Sequence, residues 1–359
     1  MFEDLIINKD SWLNGRGPAS EIVFSSRVRL ARNLRSSVFP PRANSEKRKD
    51  TLKRIFGAAR KIKALDEAKF YEMEQLKDLD GKFLVERHLI SREHLVSGAG
   101  RGLILSSNER ISVMVNEEDH IRMQAMASGL NLENCWGELN VLDDEFSKNL
   151  DFSFRKDLGY LTSCPTNMGT GMRVSCMLHL PALTLTKKVG KILEFLSKIF
   201  FTSRGLFGEG TQAIGDFYQI SNQVSLGVSE TELVDNLKSV VNQVKTQEIS
   251  ARKMLLDKHR ITLEDNIWRT LGVLKNCRLI GSKEALNHLS MLSLGLDLGI
   301  IGDKDLSVSP SKGRELINNL ILVIQPAHLQ KIESKMLSDS ERDYFRAQTL
   351  RKNLGGKDV

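Results

Sequence analysis

Between about residue 80 and residue 227, short apolar runs alternate with polar turns, and that period of two marks strands. It predicts strands at 102–105, 111–115, 173–180 and 218–226, the last with Tyr218, Ile220, Val224 and Leu226 on one face. Ser106, Ser107, Asn108, Glu109 and Arg110 separate the first two, a five-residue loop suited to an antiparallel hairpin. An antiparallel sheet is therefore the expected core. Helical spacing takes over on either side. Leu52, Ile55, Phe56 and Ala59 share one helix face. Val189, Ile192, Leu193, Leu196, Ile199 and Phe200 share another, with Lys187, Lys188, Lys191 and Lys198 opposite. Ser229 and Glu232 form a capping box that opens a longer helix, burying Leu233, Leu237, Val240, Val241 and Val244 and running to about Lys258.

Beyond that point strand signals fade, and helices are predicted at 263–275, 282–296, 311–324 and 338–354, with Gly281, Gly302 and Pro310 at the breaks. The expected fold class is α+β: an antiparallel sheet flanked by helices over 1–258, then a small all-helical domain over 259–359. A length of 359 residues agrees, being more than one hydrophobic core usually serves. No internal repeat stands out, which sets solenoids aside.

Composition narrows the class. Hydrophobic content of 41% and charged content of 27% exclude wholesale disorder. No apolar run reaches the roughly 18 residues of a membrane span, and MFEDLIINKD lacks the basic start and apolar stretch of a signal peptide. A soluble, cytoplasmic protein is expected. Cys135, Cys164, Cys176 and Cys277 match neither a zinc ribbon nor a CxxC pair, so reduced thiols are expected, all but Cys164 as core fillers. The net charge of +7 favours an anionic partner. From Arg42 to Lys63 nine basic residues face only Glu46 and Asp50, an excess equal to that of the whole chain. Nucleic acid or an acidic protein could dock there, but a solvated helix face is the simpler reading.

Nucleotide loops of the usual kinds are missing. Gly208-Glu209-Gly210-Thr211-Gln212-Ala213 fits GxGxxA, yet a carboxylate at its first variable position would face a pyrophosphate, and no GxxxxGK[ST] exists. Phosphates would have to be neutralised by side chains. In Ser25-Ser26-Arg27-Val28-Arg29-Leu30, strand alternation puts Arg27 and Arg29 on one face about 7 Å apart, and guanidinium groups bind phosphate bidentately. Asn116-Glu117-Glu118-Asp119-His120-Ile121-Arg122 places three acids and an arginine after a strand, suited to a cationic substrate or a metal. The alternative is acidic stabilisation of a helix start, since Ile121, Ala125 and Leu130 have helical spacing.

Two more segments complete a set: SSRVRLARN, NEEDHIRMQ, TSCPTNMGTGMR and RGLFGEG. In this order the motifs resemble those of the phosphagen (guanidino) kinase family, over about residues 21–258. The resemblance implies that Arg27, Arg29, Arg122, Arg173 and Arg204 hold the phosphates of ATP. It also implies that Glu118 and Glu209 grip a substrate guanidinium and that Cys164 lies beside it, tuning rather than attacking. His88 resembles the family's nucleotide-base contact; a surface histidine in a turn is the alternative. Magnesium would bridge the ATP oxygens, with Glu117 an outer-shell candidate. Gly208 and Gly210 fit either a loop that closes on substrate or an ordinary tight turn.

Family members acting on free arginine or creatine carry a helical domain of roughly a hundred residues ahead of the phosphate-binding arginines, enough to fold on its own. Here 26 residues precede Arg27, so a more open site is expected, able to admit an arginine side chain of a polypeptide. Together with the helical C-terminal stretch this resembles the bacterial protein-arginine kinases. The resemblance implies protein substrates, a homodimer, a zinc-binding (McsA-like) activator and a Clp-type protease acting on marked proteins. It further implies that Arg342, Asp343, Arg346 and Ala347, an RDxxRA motif, bind phosphoarginine as an allosteric signal; an ion-pair network around Asp343 is the alternative. A free-arginine kinase and a non-catalytic, nucleic-acid-binding adaptor using 42–63 are the competing functions.

Overall fold

The computed structural model describes residues 2, 5, 11–96, 98–205 and 213–356. Strand β1 (Val23–Arg32) lies at its centre, because Val28 and Leu30 are fully buried on one face while Arg27 and Arg29 stay half-buried on the other. Helix α1 (Ser45–Ala59) starts at Asn44, whose side chain accepts the Lys47 N–H, and buries Leu52, Ile55, Phe56 and Ala59. The basic stretch 42–63 is thus mainly the solvated side of this helix. There follow β2 (Lys69–Glu72), α2 (Asp78–Glu86), the single turn α3 (Arg92–Leu95), and the hairpin of β3 (Gly102–Leu105) and β4 (Ile111–Val115).

The helical spacing of Ile121, Ala125 and Leu130 does not decide the next segment, which is strand β5 (Ile121–Ser128). It runs between β4 and β1, where burial on both faces erases the period of two. Helix α4 (Leu132–Ser147) seats Cys135, Leu139, Leu142 and Phe146 against β1 and β5. Then come the ribbon β6 (Phe154–Arg155) and β7 (Gly159–Tyr160), strand β8 (Met172–His179), α5 (Pro181–Leu185), α6 (Val189–Lys198), β9 (Phe201–Gly205) and β10 (Phe217–Asn222). The strand expected at 218–226 stops at Asn222, and Val224 and Leu226 are exposed. The chain leaves the ladder there so that the Ser225 hydroxyl can donate to the carbonyls of Thr166 and Met168 (2.9 and 2.8 Å). Ile199 and Phe200 likewise lie past the end of α6, and Phe200, at φ +60°, is exposed.

Eight strands form one antiparallel sheet in the order β2-β3-β4-β5-β1-β8-β10-β9. The C-terminal part adds α7 (Glu230–Asn276), α8 (Ser282–Asp297), α9 (Gly313–Val323), α10 (Pro326–Ile332) and α11 (Asp339–Leu354). The capping box of Ser229 and Glu232 opens α7, which passes through a kink at His259 (φ −134°, ψ 26°) and continues to Asn276. One buried apolar cluster extends from Val28 and Leu30 of the sheet to Leu350 and Leu354 of α11. Buried ions reinforce the join. Arg252 of α7 reaches Glu248 at 2.9 Å and Asp297 of α8 at 3.0 Å, while Glu248 accepts the N–H groups of Ala182 and Leu183 at the start of α5. At the far end, Glu86 of α2 accepts the N–H groups of Ala327 and His328 in the first turn of α10 (2.8 and 3.0 Å) and meets His328 Nδ1 at 2.7 Å. Among the described residues no helix is long and apolar enough to cross a membrane.

Candidate active site

Register assembles the cationic floor. Arg29 stands opposite Gln124 on β5 and Arg173 on β8, Ala31 opposite Arg122, and Arg27 opposite Ser175. Gln219 of β10 faces Met177 on one side and Arg204 of β9 on the other. Partners in an antiparallel pair project to the same face, so Arg27, Arg29, Arg122, Arg173 and Arg204 share one side of the sheet. All five line one cleft of about 1030 Å³. Burial, then repulsion from Arg122, Arg173 and Arg204, pushes the Arg27 guanidinium down to about 9. Burial and the charges of Arg27, Arg122 and Arg173 also hold Arg29 well below its ordinary value. The Arg29 Nε is buried with no hydrogen-bond partner. Arg173 is oriented by Ser221 Oγ (3.0 Å) and Thr202 Oγ1 (3.2 Å). A face so charged suits a polyanion.

The three acids after β4 part company. Glu117 gives both oxygens to Arg122 Nη1 at 2.7 Å and takes a 2.5 Å hydrogen bond from the Ser91 hydroxyl. Burial alone would raise its pKa, but Arg122 outweighs it and holds Glu117 at about 2. Offered as an outer-shell magnesium ligand, this carboxylate is occupied as the counter-ion of Arg122. Asp119 turns the other way, accepting the Ser163 N–H (2.7 Å) and Asn33 Nδ2 (2.6 Å). His120 fixes the loop's end: Nδ1 accepts the Leu34 N–H, leaving Nε2 to donate to the Val38 carbonyl. Glu118 lines the cleft beside Glu117 but without an arginine partner of its own among the described residues, its carbonyl held by the Ser163 hydroxyl at 2.7 Å. Burial and the neighbouring charge of Asp119 raise its carboxyl above the ordinary range. Cys164 lines the same cleft next to that clamp, its Sγ 3.0 Å from Thr166 Oγ1. Glu209, with Gly208 and Gly210, lies outside the described residues.

His88 lines the same cleft from a turn, half-buried. Its backbone takes φ +58°, its carbonyl accepts Gln124 Nε2 at 2.7 Å, and its ring meets Trp12 edge-on with centroids 5.9 Å apart. Burial, then the charges of Arg27 and Arg92, drives it down to about 3, so the imidazole is neutral. The Nε2 is buried without a partner. Trp12, Phe24, His88, Met126 and Met177 line a small, mainly apolar recess of about 20 Å³ with Arg27 beside it, room for little more than a water molecule.

The RDxxRA segment lies on α11, away from this floor. Arg346 is 2% exposed, and its guanidinium donates to the carbonyls of Ile324 (2.9 Å) and Ile280 (2.8 Å) and to Asp343 (2.5 Å). Ala347 is buried, and Arg342 pairs with Asp339. The side chains that sequence reasoning missed are the clamps: Asn33, Ser91, Gln124 and Ser163. No local pattern marks them, because each acts on a residue far along the chain. Among the described residues no group of three or more histidine, cysteine or acidic side chains could hold a metal ion.

Comparison with known proteins agrees with this geometry. The family "ATP:guanido phosphotransferase, C-terminal catalytic domain" matches residues 50–251, and the "Protein-arginine kinase McsB C-terminal domain" matches 260–358. A protein-arginine kinase of Halothermothrix orenii is 44% identical over 97% of this chain and 98% of its own. One from Bacillus pumilus is also 44% identical, over 96% and 93%. Among solved structures, lombricine kinase superposes with a TM-score of 0.58 at 27% identity, covering 65% of this chain and 68% of that one. Likeness of this degree along almost the whole length of its relatives places the chain in the protein-arginine kinase family of the ATP:guanido phosphotransferases.

Proposed function

We propose that this protein transfers the γ-phosphoryl group of ATP to the guanidinium groups of arginine residues in other proteins. The observation that carries this reading is the five-arginine sheet face opposite Glu118 within one open cleft. A protonated guanidinium is a poor nucleophile, since its nitrogens are delocalised and its pKa is above 12. Glu118 holds its plane, aims one nitrogen at the γ-phosphorus, and takes the proton as the N–P bond forms and the bond to the ADP oxygen breaks. Its raised pKa makes it a better acceptor than an ordinary glutamate. Glu209 is assigned the second grip on the guanidinium by the family motif. The arginines stabilise charge on the transferring group without reorganising. Arg27, Arg29, Arg122, Arg173 and Arg204 hold the triphosphate and His88 the base. Magnesium, when bound to the nucleotide, would neutralise part of the phosphate charge. Cys164 tunes the guanidinium site through its polar neighbours.

The wider setting rests on family resemblance: a cytoplasmic homodimer, a zinc-binding activator, a Clp-type protease that degrades marked proteins, and phosphoarginine sensing through Arg342, Asp343 and Arg346. For the last, Arg342 is the arginine of the motif with an exposed path to a ligand, since Arg346 is buried and spent on carbonyls.

The test is direct. With ATP, magnesium, an activator where required and an arginine-rich unfolded protein, acid-labile phosphate should form on arginine. Its absence would falsify the reading, and a strong preference for free arginine would move it to a metabolite kinase. Glu118→Gln and Glu209→Ala should each lower transfer by roughly 10²- to 10⁴-fold while sparing ATP binding, with Cys164→Ser milder.

A further inference from the structure

A second cationic pair faces the same cleft. Arg48, from the first turns of α1, and Arg101, just ahead of β3, line it together with Glu117 and Glu118. Arg48 is half-buried although Lys47 and Lys49 beside it are exposed. Backbone carbonyls pin both guanidinium groups. Arg48 donates through Nε and Nη2 to the Pro40 oxygen (3.2 and 2.9 Å), and Arg101 Nη1 donates to the carbonyls of Glu93 (2.5 Å), His94 (3.4 Å) and Val96. Asn116, two residues before Glu118, ties this wall to the acidic loop, its Nδ2 donating to Arg48 O at 2.9 Å and Gly100 O at 2.6 Å. The two heads converge over Gly98. A Cβ placed on that glycine would lie 3.3 Å from Arg48 Nη1 and 3.7 Å from Arg101 Nε.

Nothing described so far uses these charges. The repulsion acting on Arg27 comes from Arg122, Arg173 and Arg204, and that acting on Arg101 comes from Arg48. Glu117 stands between them, acting on Arg29 and on Arg101. Its carboxylate is already committed to Arg122. Among the described residues neither Arg48 nor Arg101 forms an ion pair with a carboxylate, and Arg101 Nε is buried without a partner. Two fixed positive charges beside the place where a guanidinium must enter repel it. A carboxylate carried by the substrate removes that repulsion and fills the vacant donors, and a pair already immobilised loses little entropy in binding it.

We propose that Arg48 and Arg101 form a carboxylate-binding subsite that selects an aspartate or glutamate side chain flanking the target arginine of a substrate polypeptide. The flanking residue lies within about three positions of the arginine, a reach of roughly 10 Å along an extended chain. The subsite rests on the reading of the cleft as a protein-arginine kinase site and adds a sequence preference to it.

The experiment uses peptides of one frame, each with a single arginine flanked by glutamate, glutamine or lysine, and measures kcat/KM for phosphoarginine formation by the full chain. The native protein should prefer glutamate over glutamine about twofold to fivefold, as a partly exposed ion pair allows. Arg48→Gln and Arg101→Gln should each shrink that ratio toward one, and Arg48→Glu should turn the preference toward lysine. Each comparison is a ratio between peptides on the same protein, so reduced stability of a variant cancels. A native ratio of one, or a ratio indifferent to Arg48→Gln and Arg48→Glu, overturns the subsite. Fluorescence anisotropy of labelled peptides without ATP reads the same ratios as Kd. If no peptide is phosphorylated the kinase reading fails, while the binding ratios still decide whether the subsite exists.

Discussion

Glu117 meets Arg122 with both oxygens at 2.7 Å, and its side chain is 1% exposed. Its folded pKa of about 2 lies below the ordinary 4.5, so the stability it contributes is complete above pH 4.5 and is lost as pH falls toward 2. On the order of 3 kcal/mol is involved. Glu117→Gln should therefore lower the unfolding free energy at pH 7 and flatten its fall between pH 5 and pH 3, measured by urea titration. Equal acid limbs in the two proteins would refute the role. Nothing in Asn116-Glu-Glu-Asp-His120 separates the three acids by itself. Their fates follow from what reaches the loop from elsewhere, Ser91 and Arg122 for Glu117, Asn33 and Ser163 for Asp119. Local reading could name the cluster and pick Glu118 only through resemblance.

At the scale of elements, β1 was readable because Arg27, Val28, Arg29 and Leu30 alternate, and the β3–β4 hairpin because its loop is short. The grouping of Arg122, Arg173 and Arg204 with Arg27 and Arg29 depends on cross-strand register between segments up to 177 positions apart, which no local window contains. β9 escaped for a related reason: five residues at a sheet edge carry too little periodicity. α10 escaped too, and it matters to the cleft. Glu86, which anchors the first turn of α10, is two residues from His88 and lines the cleft itself. Glu86→Gln should loosen the turn that presents His88, raising the KM for ATP about threefold to tenfold with a smaller change in kcat. A lower melting temperature with unchanged KM would make the contact merely structural.

For the molecule as a whole, the sequence reads as a sheet-bearing part followed by a helical part, and the buried apolar cluster crosses that line without interruption. Arg252 precedes the kink at His259, yet its partner Asp297 follows it, and Arg314 shares the same carboxylate. Ending the chain after residue 258 would strip Arg252 of Asp297 and Glu86 of its partners in α10, and would remove the apolar residues that the helical part gives to the shared cluster. The full chain should thus melt in one transition, and the 1–258 piece should fail to fold stably by circular dichroism and calorimetry. An independently folded piece with a sharp transition of its own would contradict this.

Arg27 and Arg29 ride on a strand that β5 and β8 hold from its two edges, with like charge crowded around both guanidinium groups. Like charges held this close oppose one another, and a bound polyphosphate should steady the fold as a keystone before it serves as a reactant. Inorganic triphosphate, with no adenosine, magnesium or acceptor, should raise the melting temperature with dose. Dilute buffer free of polyvalent anions should be the harshest storage condition for this protein.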